Sequence, residues 1–187
     1  MCSGAGILTV ASTGSLTSAN HPVTLHASDM VLGGPIHADL GALTVDACAD
    51  MNLGGNSVSV PQHPGLTLDR SELPLLFAAR ARFVARTIYA MGSVAADTSH
   101  IASYVALDAH SAARIEAPTE FAAAYVHGDA LVAVNAPLDS AVGLLNSTSD
   151  GLITAPDSTT ITSARRWNPS RSLIRSVLFR RGGIVAA

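Results

Sequence analysis

The feature that most constrains the fold is a short alternating pattern that recurs along the chain. Each copy has apolar side chains at alternate positions and ends in Ala or Ser. Strict alternation over a few residues predicts a β-strand with one buried face. A strand this short is not stable alone, so each copy must pack against other strands. The five clearest copies lie at residues 8–12, 23–27, 43–47, 105–109 and 132–136.

Two longer segments repeat one after the other. Residues 23–34 read VTLHASDMVLGG, and residues 43–55 read LTVDACADMNLGG. Asp29 aligns with Asp50, and the residues that follow them align at the same offset. Self-similarity at a period of about 20 residues predicts a solenoid, in which each repeat stacks on the next. Weaker copies follow at residues 58–60, 66–68, 114–117 and 160–163.

We therefore predict an all-β fold, a parallel β-helix or solenoid of coils of about 20 residues, over residues 1–163. Leu, Val, Ile and Ala would fill the interior, and an aromatic content of only 4% suits so narrow a core. An antiparallel sandwich of short strands is the alternative. It explains the alternation but not the match between the segments that contain Asp29 and Asp50.

Helical signals are confined to two segments. Asp69 to Glu72 resembles a capping box and precedes an apolar run, so we expect a short helix or turn over residues 69–81. Residues 164–187 form a separate Arg-rich C-terminal tail, in which SRSLIRSVLFRR has the pattern of a short, basic amphipathic helix. Its apolar face would consist of Leu173, Ile174, Val177 and Leu178.

The charges are unevenly distributed along the chain. Residues 1–163 hold five Arg against all fourteen acids, a net charge of −9, whereas residues 164–187 hold six Arg and no acid. Phosphate backbones are repelled by such an acidic body, so we predict no nucleic-acid partner. We interpret the tail as a solvated end segment, and the alternative is a binding module for an acidic partner. No apolar stretch approaches about 18 residues, so we predict no membrane span.

A family resemblance is based on the repeats DMVLGG and DMNLGG and on the segment from Gly65 to Leu73, GLTLDRSEL. They resemble filamentous-haemagglutinin-like exoproteins of Gram-negative bacteria, in which a segment of the form GLxLSDAEL recurs. This chain departs from that form at residues 69–71. The resemblance covers residues 5–163. It implies a right-handed β-helix, export through an outer-membrane transporter and the role of an adhesin passenger.

The same resemblance implies an extracellular or outer-membrane-associated location on the cell surface. The N-terminus, MCSGAGILTVASTG, lacks the basic and long apolar regions of a secretory signal. We therefore expect the chain to be a fragment of a longer exported protein.

Two pairs of histidine and aspartate are candidate metal sites. His37 with Asp39, and Asp108 with His110, each place two side chains on one strand face. A metal site needs three or four converging ligands, and neither pair has a third at a recognisable spacing. We predict no metal and no cofactor.

One pair of carboxylates is a candidate catalytic site. Asp29 and Asp50 would lie about 5 Å apart if their repeats are in register. An aspartate beside a repeated turn is, however, typically a corner residue. We predict that the chain is not an enzyme and assign no catalytic residue, with a β-helix enzyme acting on polysaccharide as the alternative.

The two cysteines, Cys2 and Cys48, have neither a C-x-x-C nor a metal-ligand spacing. Cys48 stands between two alanines in a strand-like run, so we interpret it as a structural thiol that fills apolar space.

The function that these patterns favour is a non-catalytic, adhesive β-helix segment of a secreted bacterial surface protein. Its partner would be an unidentified receptor or glycan on a host cell or a bacterial surface. Exposed coil ends also predict self-association.

Overall fold

The fold is built almost entirely of β-strands, with a single 3-10 turn at Leu73–Leu75 in the part of the chain described. The computed structural model describes residues 6–55, 64–92, 100–121, 124–136, 138–140, 143–147, 152–154, 160–163, 178–180 and 183–185. The strands are β1 Ile7–Val10, β2 Leu16–Thr17, β3 Val23–Ala27, β4 Asp29–Leu32, β5 Ile36–His37, β6 Ala42–Ala47, β7 Asp50–Leu53, β8 Gly65–Leu68, β9 Leu76–Ala90, β10 Ile101–Ile115, β11 Thr119–Phe121, β12 Ala124–Gly128, β13 Leu131–Val134, β14 Leu138–Ser140, β15 Gly143–Ser147, β16 Leu152–Thr154, β17 Thr160–Ser163, β18 Leu178–Arg180 and β19 Gly183–Val185.

The longest run of parallel pairing, here named the central ladder, joins β3, β6, β9, β10, β12 and β15. Successive Cα partners along it are Val23, Leu43, Ala81, Val105, Ala124 and Gly143. The chain thus returns to this ladder at intervals of about 20 residues, the size of a solenoid repeat. The exception is the step from Leu43 to Ala81, which is nearly twice as long. The all-β prediction is confirmed, and parallel pairing contradicts the antiparallel sandwich.

Two further ladders flank the central one in chain order. In the first ladder, β2 pairs with β5, and β5 pairs with the start of β9. In the third ladder, β7 pairs with β8 and with the end of β9, and the end of β10 continues to β13 and β16. Among the described strands, β9 alone crosses all three ladders. In separate sheets, β1 pairs with β4, and β11, β14 and β17 pair in parallel.

The core is made of rows of apolar side chains that run across the central ladder. In one row, Leu25, Val45, Phe83, Leu107 and Val126 are successive Cα partners. All five are buried, and Phe83 is the one aromatic side chain in the described core. Because alternate residues of a strand share a face, the alternating pattern in the sequence becomes these stacked apolar rows.

The repeat alignment does not describe the pairing of β7. This strand pairs with β8 and β9 rather than with β4, and Asp50 is the partner of Gly65. The backbone N–H of Thr67 donates to Oδ1 of Asp29 at 3.2 Å, which holds β8 beside β4. Gly65 has φ +147, and a Cβ added there would lie 2.1 Å from the backbone oxygen of Asp50. The predicted juxtaposition of Asp29 and Asp50 is therefore wrong.

The capping box forms, but only a turn follows it. Oδ1 of Asp69 accepts from the Glu72 backbone N–H at 3.2 Å, and Oε2 of Glu72 accepts from the Asp69 N–H at 3.1 Å. After the turn at Leu73–Leu75 the chain enters β9, so the turn is confirmed and the helix over residues 76–81 is wrong. Pairing of β9 with several other strands outweighs the local helix signal.

The end of the chain pairs in the opposite direction. β19 is antiparallel to both β17 and β18, with Ile184 opposite Ile161 and Phe179. Leu178, predicted to lie on a helix face, starts β18, so the helix prediction is wrong from that residue onward. The rest of that segment, together with Cys2 and residues 58–60, lies outside the described residues.

Candidate ligand-binding face

The outward side of the central ladder gathers most of the charged and aromatic side chains of its strands. We name this surface the central face. Its residues alternate with the buried rows and point away from the core. One row consists of Thr24, Thr44, Arg82, Ala106 and Tyr125, the next of His26, Asp46, Val84, Asp108 and His127, and Arg80 beside Tyr104 begins a third.

Ala106 lies at the centre of this face. It is only 5% exposed, although its side chain does not pack with the apolar rows of the core. Arg82 and Tyr125 are its partners on the neighbouring strands, and Tyr104 and Asp108 are its same-face neighbours on β10. The side chains of these four residues are larger than that of Ala106, so they cover it. We name the solvent-facing layer that they form the upper surface of the central face.

The ion pair between Arg82 and Asp108 crosses from β9 to β10. Nε of Arg82 donates to Oδ2 of Asp108 at 3.0 Å, and Nη2 contacts the same oxygen. The Asp108 side chain is 15% exposed and that of Arg82 is 57% exposed. The carboxylate is thus largely covered, whereas the guanidinium keeps N–H donors at the surface.

Aromatic rings lie beside this ion pair. Burial raises the pKa of the Tyr104 hydroxyl, and the neighbouring Tyr125 and Asp108 raise it further while Arg82 opposes them. Tyr104 is therefore a neutral hydroxyl at physiological pH. The ring of Tyr125 lies 5.9 Å from the ring of His127 at an interplanar angle of 14°.

Histidine–aspartate pairs lie at two borders of the face. Nδ1 of His26 is 3.0 Å from Oδ2 of Asp46, and Nε2 of His127 is 3.0 Å from Oδ1 of Asp129. Arg80 is exposed and forms no ion pair with another residue of the described ranges. Its Cα partner on β10 is Tyr104.

The two predicted carboxylates, Asp29 and Asp50, each accept hydrogen bonds from other residues and do not face each other. Oδ1 of Asp29 accepts from the backbone N–H of Met30 at 2.9 Å as well as from that of Thr67. Asp50 accepts two hydrogen bonds from Arg86, at 2.9 and 3.0 Å, and this guanidinium lowers the pKa of Asp50. Both carboxylates therefore hold strands together, and β8 separates them.

Of the two predicted histidine–aspartate pairs, one forms a contact and the other does not. Nδ1 of His37 lies 3.2 Å from Oδ1 of Asp39, and its ring stacks on Phe77, which stacks in turn on His100. Asp108 pairs with Arg82 instead of with His110, which is exposed. Among the described residues, no group of three His, Cys, Asp or Glu side chains is arranged to hold a metal ion.

Cys48 is disulfide-bonded, so its interpretation as a structural thiol is wrong. β6 ends at Ala47, and Cys48 lies in the bend that follows, half-buried rather than packed inside a strand. A bend at the surface leaves the sulfur accessible to a second cysteine. The sequence contains one other cysteine, Cys2.

Comparison with known proteins gives no relative for this chain. No protein-family model, no curated protein and no solved structure matches it. Within the described residues, no helix is both long and apolar enough to cross a membrane.

The sequence alone does not predict the central face, although the spacing of its residues indicates which of them share a strand face. Arg80 and Arg82, and likewise Tyr104 and Asp108, occupy same-face positions of their strands. The sequence does not reveal that the two strands are neighbours. The step from β9 to its partner on β10 is longer than the interval at which the sequence repeats.

Proposed function

We propose that the chain forms a right-handed parallel β-helix. The first, central and third ladders are visited in the same order as the chain advances. Return to the central ladder takes about 20 residues in every step but the one from β6 to β9, as expected of a solenoid coil. A coil with three short strands accounts for that order. Right-handedness follows from the strong preference of crossovers between parallel strands.

The function that this architecture supports best is adhesion without catalysis. The observation that carries it is the central face, where charged and aromatic side chains of adjacent strands form one continuous surface on a rigid sheet. Binding sites on such rigid elements are well defined geometrically. The partner would be a receptor or glycan on a host cell or another bacterium.

Two observations support an exported protein. Cys48 is disulfide-bonded, and such bonds persist mainly in oxidising compartments. The segment from Gly65 to Leu73 resembles filamentous-haemagglutinin-like exoproteins. Under this proposal the chain is a piece of a surface protein that leaves the cell through an outer-membrane transporter, and its coil ends associate with other copies.

Adhesion can be tested with beads coated with the full chain and applied to epithelial cells and to Gram-negative bacteria. We expect coated beads to adhere, and the triple variant Arg82→Ala/Tyr104→Ala/Tyr125→Ala to lose most of that adhesion. The matched control, Tyr89→Ala/Arg114→Ala, changes the outward side of the third ladder and should adhere like the wild type. Circular dichroism melts verify folding of each variant. Adhesion equal to that of uncoated beads, or full adhesion by the triple variant, would contradict the proposal.

A polysaccharide-active enzyme is the second candidate, and one observation favours it. Asp46 and Asp108 both partner Val84, so the two aspartates are two strands apart on the central face. Their separation of about 10 Å from strand spacing is near the upper limit for the carboxylates of inverting glycosidases. Release of reducing ends from polysaccharide by the wild type, but not by Asp46→Asn, would favour this enzyme over the adhesin.

A further inference from the structure

The upper surface of the central face combines two kinds of group around Ala106. Tyr104 and Tyr125 supply partly exposed aromatic rings, and Arg82 and Asp108 supply donors and acceptors fixed by their ion pair. An aromatic ring offers a flat apolar surface together with a polar edge. Polar groups that are fixed in place orient a ligand and give specificity.

Sugars match this combination better than a protein surface does. The core of a protein–protein interface is more apolar than the rest of the surface and is depleted of charged side chains, whereas the ion pair of Arg82 and Asp108 lies at the centre of this face. The large apolar side chains that are exposed in the described residues, Ile7, Leu16, Val31 and Leu40, all lie away from the central face. A sugar ring presents C–H groups on one side and hydroxyls at its edge, so it can rest on a tyrosine while hydrogen-bonding to an aspartate or arginine.

A nucleic acid is disfavoured by charge. Residues 1–163 carry a net charge of −9, and the central face is bordered by Asp46 and Asp129. Binding of a phosphate backbone requires several lysines or arginines facing it. The same acidic border disfavours a sugar polymer with a charge on every unit.

Arg80 defines where a single negative charge would fit. It is exposed, has no ion-pair partner among the described residues, and lies directly beside Tyr104. Arginine binds carboxylates through two parallel hydrogen bonds. We propose that the central face binds an oligosaccharide that carries one carboxylate, with the sugar rings on Tyr104 and Tyr125 and the carboxylate on Arg80. The inference rests on the proposed adhesive function and names the class of its ligand.

Titration calorimetry on the full chain tests this ligand class. Sialyllactose and cellobiouronic acid serve as probes with one carboxylate from two different sources. The methyl ester of sialyllactose and cellobiose are their neutral counterparts, and a heparin oligosaccharide is the polyanion. We expect at least one single-carboxylate probe to bind, and its neutral counterpart to bind about tenfold more weakly, the equivalent of roughly 1.4 kcal/mol for one ion pair.

Three variants test which residue binds the carboxylate and which binds the sugar rings. Arg80→Ala should bind the acidic probe as weakly as the wild type binds its neutral counterpart, and Tyr104→Ala should lose binding of both. Arg114→Ala, which removes an arginine from the third ladder, should bind like the wild type.

Absence of binding to both single-carboxylate probes would overturn the inference. Equal affinity for a neutral counterpart, stronger binding of heparin, or an unchanged Arg80→Ala variant would do so as well. Adhesion of coated beads in the absence of any sugar binding would overturn this inference alone and leave the proposed function standing.

Discussion

Arg86 holds both carboxylate oxygens of Asp50. Its Nε donates to Oδ1 at 2.9 Å and its Nη2 to Oδ2 at 3.0 Å. The Asp50 side chain is 9% exposed, whereas that of Arg86 is 69% exposed. Arg86 lies where β9 passes from its pairing with β6 to its pairing with β7. The ion pair therefore joins β7 to β9 at the boundary between the central and third ladders.

Asp50→Asn should be less stable than the wild type because it loses this charged pair. The pKa of Asp50 is lowered from 3.8, so the ion pair contributes fully above pH 3.8 and its contribution is lost as the pH falls through the lowered pKa. Urea unfolding at a series of pH values should show a constant difference at neutral pH that shrinks in acid. A difference that grows in acid would contradict this reading of Asp50.

Glu72 should have the opposite pH dependence. Its Oε1 accepts from the Leu32 backbone N–H at 2.8 Å, and burial raises its pKa above 4.5. A raised carboxyl pKa contributes stability that is fully present below pH 4.5 and is lost as the pH rises through the raised value.

Glu72→Gln removes this titration, so the wild type should lose stability relative to the variant as the pH rises above 4.5. Urea unfolding at several pH values measures this trend. A difference that does not vary with pH would show that Glu72 titrates normally.

Gly65 should not tolerate a side chain. Alanine at this position would need a positive φ and would place its Cβ against the Asp50 backbone. We expect Gly65→Ala to lower the free energy of unfolding by about 2 kcal/mol or more. Gly6→Ala is the matched control, because nothing lies within 4 Å of its added Cβ. Chemical denaturation measures both, and equal stability of the two variants would contradict the close pairing of β7 and β8.

Adjacent residues of β9 should differ in their sensitivity to truncation. Phe83 is fully buried in the core row, whereas Val84 is 7% exposed and packs on the central face, outside the core. Phe83→Ala should cost about 3–5 kcal/mol, and Val84→Ala about 1 kcal/mol. Guanidinium unfolding of both variants measures the contrast. A reversed order would mean that the inward and outward faces of β9 have been exchanged.

Cys48 should be unreactive until the protein is reduced. Ellman's reagent should detect no thiol in the unfolded, unreduced chain, since Cys48 is bonded and no cysteine of the described residues is free. Reduction should lower the stability by about 2–4 kcal/mol, the usual effect of removing a disulfide. Cys48→Ser should already have that lower stability and should not respond to reductant. Free thiol in the unreduced wild type would contradict the bond.

Strand positions were predictable because alternation is local. The copies at residues 23–27 and 43–47 became β3 and β6, and Val23 pairs with Leu43 at nearly the interval that separates Asp29 from Asp50. The pairing of β7 was not predictable. β8 follows β7 in the sequence, but in the structure it lies between β7 and β4, the two strands that the repeat alignment places side by side. The capping box of Asp69 is visible in the sequence, but a local motif carries no information on whether a helix or a strand follows it.

The candidate site was hidden for a related reason. Arg82 and Asp108 are 26 residues apart in the sequence, and they meet only because the register of β9 and β10 places Arg82 opposite Ala106 and Val84 opposite Asp108. The alternation places each on an outward face, but it does not specify which outward residues meet across strands. The mispredicted pair of Asp29 and Asp50 shows the same limit, since a repeat in sequence need not be adjacent in space.

The long stretch of chain between β6 and its partner β9 has a consequence for the order of folding. Most strands of the central ladder close a loop of about 20 residues, the usual size of a repeat. The loop from Leu43 to its partner Ala81 is nearly twice as long. Doubling a loop raises the entropic cost of closing it by about 0.6 kcal/mol. We expect β9, β10 and β12 to nucleate first and the N-terminal strands to join last. Hydrogen exchange should then find lower opening energies at β3 and β6 than at β9, β10 and β12, so that thermal motion separates the central ladder between β6 and β9 first.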